Sequence, residues 1–168
     1  KLKMFRFEPI QKEELTSELV PLAEKIWHEN YEGIITTEQI EYMLSKMYDP
    51  NAVAEQLEKG YKWFWMMENE QKVGFVSFYP INDDVMFLSK LYLDTSCQGK
   101  GYGKKVLQFV VNEAKTQHCK RVQLTVNKYN LKGNRAYQAF GFQKIKDQIT
   151  DFGNGFVMDD YVYGYEVE

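Results

Sequence analysis

Three alternate glycines in Gln98-Gly99-Lys100-Gly101-Tyr102-Gly103-Lys104 lie between an apolar run, Val85 to Leu93, and an amphipathic run, Lys104 to Ala114. A strand that turns through such a loop into a helix leaves successive backbone N–H groups without side-chain cover, beside the positive end of the helix. That arrangement suits a diphosphate, and Lys100 and Lys104 bring positive charge to the same place. Taken alone, the same glycines also describe a flexible turn.

The rest of the chain narrows what the loop belongs to. Met4 to Pro9 reads as a first strand. Thr16 or Ser17 can cap a helix whose apolar face is Leu19, Leu22, Ala23, Ile26 and Trp27, with Pro21 tolerated in its first turn. Thr36 with Gln39 forms a capping box for a second helix, faced by Ile40, Met43, Leu44 and Met47 and stopped at Asp49-Pro50. A short helix is expected from Ala52 to Glu58. Tyr61 to Met67 and Lys72 to Tyr79 are aromatic and β-branched runs joined by a polar hairpin turn, and Val85 to Leu93 is long and apolar enough for a central strand. After the loop come a helix over 104–116 and an alternating strand, Arg121 to Asn127. A short helix from Asn134 to Phe140 follows, ended by Gly141. Two last strands, Gln143 to Thr150 and Phe156 to Val167, flank Gly153-Asn154-Gly155, which supplies the positive φ of a tight hairpin. No repeat or linker interrupts this order, so a single mixed α/β domain over residues 1–168 is expected.

Composition excludes some classes. A net charge of −3 argues against a general nucleic-acid binder. No run approaches the length of a membrane span, and no signal peptide is visible. Cys97 and Cys119 show neither metal-site spacing nor a disulfide framework, so no metal and reduced thiols in a cytoplasmic setting are expected. A P-loop needs a hydroxyl after its lysine, which Gly103-Lys104-Lys105 lacks. A dinucleotide-binding βαβ unit would open on G-x-G-x-x-G, with an acidic residue about 20 positions later.

Two motifs in order carry a resemblance. Gln98-Gly99-Lys100-Gly101-Tyr102-Gly103 is similar to the Arg/Gln-x-x-Gly-x-Gly/Ala signature of GNAT-superfamily N-acetyltransferases. Asn130, then Tyr137, then Gly141-Phe142 resembles their Asn…Tyr-x-x-x-Gly-Phe signature. The strand pattern extends the likeness over roughly residues 60 to 168; the N-terminal third matches by element order alone.

The resemblance implies a mostly antiparallel sheet flanked by helices, with splayed central strands forming an acyl-CoA cleft and acetyl-CoA as cosubstrate. The stretch Gln98, Gly99, Lys100, Gly101, Tyr102, Gly103 and Lys104 would hold its pyrophosphate. The backbone of Leu91, Tyr92 and Leu93 would pair with the pantetheine arm and polarise the acetyl carbonyl, whatever those side chains do in the core. Asn130 would bond the arm, cap the next helix, or both. Tyr137 would protonate the departing thiolate, although a tyrosine on a short helix is also an ordinary packing residue.

The general base is where this chain departs from the family's better-understood members. Some carry a carboxylate four residues ahead of the position of Leu93, where this chain has Ser89. Glu29, Glu32, Asp159 and Asp160 are the other carboxylates near the expected pocket, and strand alternation lets at most one of Asp159 and Asp160 face it. Trp27, Tyr31, Tyr42, Tyr48, Phe156 and Tyr161 are candidate aromatic walls or, as readily, core. Aromatic and acidic walls suit a small cationic amine. His28 and His118 have no partner at a useful spacing. The reading is an acetyl-CoA-dependent N-acetyltransferase acting on a small amine, with a homodimer left open. Its rivals are a peptide or protein N-acetyltransferase and a CoA-binding regulatory module without catalysis.

Overall fold

Pro21, in the first turn of a helix, decides how the N-terminal segment winds. Its ring crowds the carbonyl of Ser17 and it has no N–H to give. In the computed structural model, which describes residues 3–168, the chain enters through a 3₁₀ turn at Lys12–Glu14 and a widened π turn at Leu15–Leu19. Only then does it become regular helix α1, Val20–Tyr31. Thr16 and Ser17 therefore lie inside the helical run and are not its caps. The entry is closed instead by the Gln11 N–H, which donates to Glu14 Oε1 at 2.7 Å.

The described residues form two compact units. The first comprises residues up to Ser77 together with Lys90–Tyr102. It holds β1 (Phe5–Pro9), α1, α2 (Thr37–Met47), α3 (Pro50–Glu58), β2 (Lys62–Glu68), most of β3 (Gln71–Pro80) and the end of β4 (Val85–Leu93). Strand order there is β1-β2-β3-β4, with β1 antiparallel to β2. Thr36 caps α2 as expected, its hydroxyl accepting from Gln39 N–H at 3.1 Å. Asp49 caps α3 through Ala52 N–H at 3.3 Å, and Pro50 at the first helical position moves that start ahead of the expected Ala52. The core is aromatic. Trp27 donates its indole N–H to Tyr48 at 2.9 Å, and the rings of Tyr48, Trp63, Phe75 and Tyr92 follow one another at centroid spacings of 6.2, 6.3 and 5.6 Å.

The second unit comprises Phe78–Ser89 and Gly103–Glu168. Its strands run β4-β5-β7-β6, where β5 is Arg121–Asn127, β6 Gln143–Gly153 and β7 Phe156–Glu166. β5 is parallel to β4 and antiparallel to β7, and β6 is antiparallel to β7. Helix α4, Tyr102–Thr116, buries Val106, Leu107, Val110, Val111 and Ala114, the face its periodicity marks out. Helix α5, Leu131–Phe140, starts three residues ahead of the expected Asn134, because Asn130 caps it. Gly153, Asn154 and Gly155 take the positive φ values of 91°, 53° and 79° that the β6–β7 hairpin needs.

The β4–β5 ladder covers Val85–Phe87 against Arg121–Gln123 and stops, while β5 goes on pairing with β7 as far as Asn127 with Asp160.

Candidate active site

In the first unit the end of β4 carries Leu91, Tyr92 and Leu93, all half-buried. β3 closes on this segment at Gly74, where an added Cβ would stand 2.4 Å from the Tyr92 carbonyl oxygen. Asp94 N–H then donates to Val73 O at 2.7 Å. The Asp94 carboxylate accepts from Ser96 N–H at 3.0 Å and pairs with Lys25 of α1 at 2.8 Å. Burial opposes ionisation of this carboxyl, but Lys25 and the Ser96 amide outweigh it and hold the pKa below the usual value. So the strand end is tied to β3 and α1 before the loop begins.

The loop itself is exposed from Gln98 to Gly101. Gly99 and Gly101 have φ of +82° and +80°, a region that side-chain-bearing residues rarely occupy. A Cβ at Gly99, Gly101 or Gly103 would meet nothing within 4 Å. Among the described residues, no hydrogen bond is donated by the main-chain N–H of Gly99, Lys100 or Gly101. Three uncommitted amides thus stand where helix α4 begins, and the first amides of that helix have no intrahelical acceptor either. This is what a diphosphate requires.

Lys100 does not point its charge freely at this opening. Its ammonium lies 3.0 Å from Glu68 Oε2 at the end of β2, and the Tyr102 hydroxyl donates to the same oxygen at 2.5 Å. The Tyr102 ring stacks on Phe5 at 4.0 Å. Hydrogen bonds from Tyr102 and Lys100 lower the Glu68 pKa, and Glu68 raises that of Lys100. Glu68 was not foreseen as a site residue: in the sequence it reads as part of a polar hairpin turn, and its partners lie 32 and 34 positions away. Lys90 was also missed. It is buried on β4, its ammonium 5.8 Å from the centre of the Trp63 ring, and burial lowers its pKa to about 8.

In the second unit Asn130 Oδ1 accepts from Gly133 N–H at 3.0 Å, so its capping role is realised. Asn134 is the unforeseen tie of this region. Its amide donates to the carbonyls of Asn127 and Asn130 at 3.1 and 2.7 Å, and its oxygen accepts from the Tyr163 hydroxyl at 2.9 Å. Tyr137 lies half-buried on α5, its ring 5.7 Å from Phe142 and 6.4 Å from Tyr163. Its carbonyl accepts from Gly141 and Phe142, which explains Gly-Phe four residues on: Gly141 takes φ +121° to end the helix and Phe142 packs under the tyrosine.

Residues 21–142 match the sequence model of the Acetyltransferase (GNAT) family. The chain belongs to that family. It is 39% identical over 59 residues to the spermine/spermidine N(1)-acetyltransferase of Bacillus subtilis (strain 168), which is 34% of this chain and 39% of that protein. It is 36% identical over 80 residues to the L-2,4-diaminobutyric acid acetyltransferase of Halalkalibacterium halodurans, 46% of this chain and 40% of that protein. The GNAT chain thus spans about two fifths of the length of these curated relatives. The PaiA N-acetyltransferase of Thermoplasma acidophilum, solved in complex with coenzyme A, superposes with a TM-score of 0.82 over 97% of this chain and 99% of that one; at 20% identity the likeness is one of fold.

The remaining candidates separate by burial. Trp27 and Tyr48 are 1% and 2% exposed and bonded to each other, so they belong to the core. Tyr42 is half-buried beside Lys46, and Glu32 is exposed. His28, expected to be incidental, pairs with Glu41 across α1 and α2 at 2.6 Å. Cys97 and Cys119 are free and buried. Among the described residues no helix is long and apolar enough to cross a membrane, and no group of three or more metal-ligating side chains is found.

Proposed function

We propose that this GNAT chain transfers the acetyl group of acetyl-CoA to a small cationic amine in the cytoplasm, residues 1–168 acting as one acetyltransferase domain. The observation that carries the reading is the set of uncommitted amides at Gly99, Lys100 and Gly101, held open by two left-handed glycines at the start of α4. Those amides, with Gln98, Tyr102, Gly103 and Lys104, hold the pyrophosphate. Acetyl-CoA supplies an activated thioester; the chain supplies the rest. Main-chain N–H groups of Leu91, Tyr92 and Leu93 stabilise the negative charge that gathers on the acetyl oxygen as the neutral amine attacks. The Tyr137 hydroxyl gives its proton to the leaving sulfur. Asn130 keeps α5, and with it Tyr137, at the end of β5.

The relatives above are named for polyamines and for a diamino acid, which supports a small amine as acceptor. The test measures free thiol released from acetyl-CoA with spermidine, simple aliphatic diamines, L-2,4-diaminobutyrate and short peptides in parallel. Turnover with the small amines is expected. Turnover confined to peptide N-termini or lysines would replace this reading with a peptide N-acetyltransferase, and acetyl-CoA binding without any turnover would make the chain a regulatory module.

A further inference from the structure

We infer that Glu68 is a positioning residue for acetyl-CoA: its carboxylate draws both side chains of the glycine loop to one anchor, so that the loop amides stand preformed for the diphosphate. The inference rests on the reading above in which Gly99, Lys100 and Gly101 bind that group.

The loop does not hold its own shape. Gly99 and Gly101 bracket Lys100, and no residue gives up more backbone freedom on folding than glycine. Residues from Gln98 to Gly101 are exposed, and a Cβ at Gly99, Gly101 or Gly103 would meet nothing within 4 Å, so packing does not fix the backbone either. Between Gly99 and Gly103 only Lys100 and Tyr102 carry side chains. Both end on the same atom. Lys100 Nζ lies 3.0 Å from Glu68 Oε2, and the Tyr102 hydroxyl donates to that oxygen at 2.5 Å.

Glu68 is itself held on several sides. It closes β2, directly opposite Phe5 of β1 in the antiparallel ladder. Partners in such a pair lie on one face of the sheet, and here both reach Tyr102. Phe5 stacks on its ring at 4.0 Å with 10° between the planes, while Glu68 takes its hydroxyl. Asn69 N–H donates to Met4 O at 2.8 Å, and Met4 N–H to Asn69 Oδ1 at 3.1 Å, so β1 and β2 stay tied past that pair. The Glu68 side chain is 8% exposed, and its second oxygen lies 3.5 Å from Lys3 Nζ. A carboxylate this buried is stable only with its bonds made. Tyr102 is buried too and begins α4, so anchoring it sets where the loop ends.

The sign of the charge separates positioning from a simpler role. A carboxylate beside a diphosphate site repels the ligand and occupies a lysine that would otherwise attract it. Acting through charge alone, Glu68 would weaken binding, and its removal would tighten it. Positioning demands the opposite: without the anchor the loop must be ordered at each binding event, and affinity falls.

The test is calorimetry of acetyl-CoA with the wild type, Glu68→Ala, Glu68→Gln and Tyr102→Phe. Glu68→Ala should weaken binding about tenfold. Glu68→Gln leaves an oxygen for the Tyr102 hydroxyl and loses the ion pair with Lys100, so it should recover part of that loss and bind about threefold below wild type. Tyr102→Phe keeps the stack on Phe5 and drops only the bond to Glu68. It should cost about threefold in the wild type and nothing further in Glu68→Ala. A general loss of structure would harm every donor alike. The ratio of kcat/KM for acetyl-CoA to kcat/KM for S-acetylpantetheine, which lacks the diphosphate, should instead fall as far as the affinity does. Should Glu68→Ala not fold, the near-isosteric Glu68→Gln and Tyr102→Phe still decide the sign. Variants that bind acetyl-CoA as tightly as the wild type or more tightly, or that lose both donors equally, overturn the role of Glu68 alone. A wild type that binds no acetyl-CoA overturns the diphosphate reading and this inference with it.

Discussion

Replacing Lys90 by Met should remove a rise of stability with pH that the wild type shows above neutrality. Lys90 is 7% exposed, and burial brings its ammonium from 10.5 down to about 8. A lysine pKa lowered by folding means that the unfolded chain holds the proton more tightly than the folded one. At 1.36 kcal/mol per unit, that difference is a penalty of about 3 kcal/mol. Below pH 8 both states are protonated and the full penalty stands. Between pH 8 and 10.5 the folded state has released its proton while the unfolded state keeps it, so stability climbs with pH. Above 10.5 both are neutral and the penalty is gone. Met keeps the unbranched reach of the side chain without the charge, and its sulfur can take the place of the ammonium against Trp63.

Lys90→Met should therefore lack the wild type's gain of about 1.4 kcal/mol per unit between pH 8 and 10, whatever the substitution costs in the other contacts of the Lys90 side chain. Guanidinium denaturation of both proteins at pH 7 and pH 10, with unchanged m-values, reads the difference. A stability difference between variant and wild type that is the same at pH 7 and pH 10 would refute the reasoning, since the substitution would then act through packing rather than through the charge.

Gly101→Val should weaken acetyl-CoA binding at least tenfold, about 1.4 kcal/mol, because φ +80° strains a β-branched residue and the new side chain covers amides that must stay open; calorimetry on a folded variant with unchanged affinity contradicts this. Tyr137→Phe keeps the ring against Phe142 and removes the proton, so acetyl-CoA binding should survive while turnover falls roughly 100-fold; full turnover with chemistry rate-limiting would make the hydroxyl dispensable. Gly74→Ala sets a methyl against the Tyr92 carbonyl oxygen, which forces β3 away from β4 at a loss of about 2 kcal/mol, and a Tm equal to wild type would show that the two strands part without cost.

Much of this architecture is written locally. The β4–loop–α4 unit could be read because its information is all in neighbouring residues: an apolar run, glycines that alone tolerate the required φ, and a 3.6-residue apolar period. The Thr36–Gln39 cap and the Gly153-Asn154-Gly155 hairpin were legible for the same reason. The start of α1 was not, since the competition between a Ser or Thr cap and the bulk of Pro21 is settled by how far the preceding turn can widen. Nor could the sequence reveal that Lys100 is held by Glu68, because the pair meets only when β2 brings its end beside the loop.

Asp160 shows where the boundary lies. Alternation announces that Asp159 and Asp160 face opposite ways, but it is blind to which face is closed. That choice is made by Asn134, whose amide fastens α5 to β5 and whose oxygen takes the Tyr163 hydroxyl, so that α5 covers the odd face of β7. Once that face is covered, Asp159 is left beside Lys128, and Asp160 is turned to the opposite face, which it shares with the buried Met158 and Val162. One buried amide thus separates two adjacent aspartates into an ion-paired residue and a buried carboxylate, whose pKa burial raises to about 6. Chemistry of this kind is specified by tertiary contacts, while the cradle for the diphosphate is specified by the backbone preferences of single residues. The family signature lies in the second sort of information, which is why it identifies the donor side of the reaction and is silent about the acceptor side.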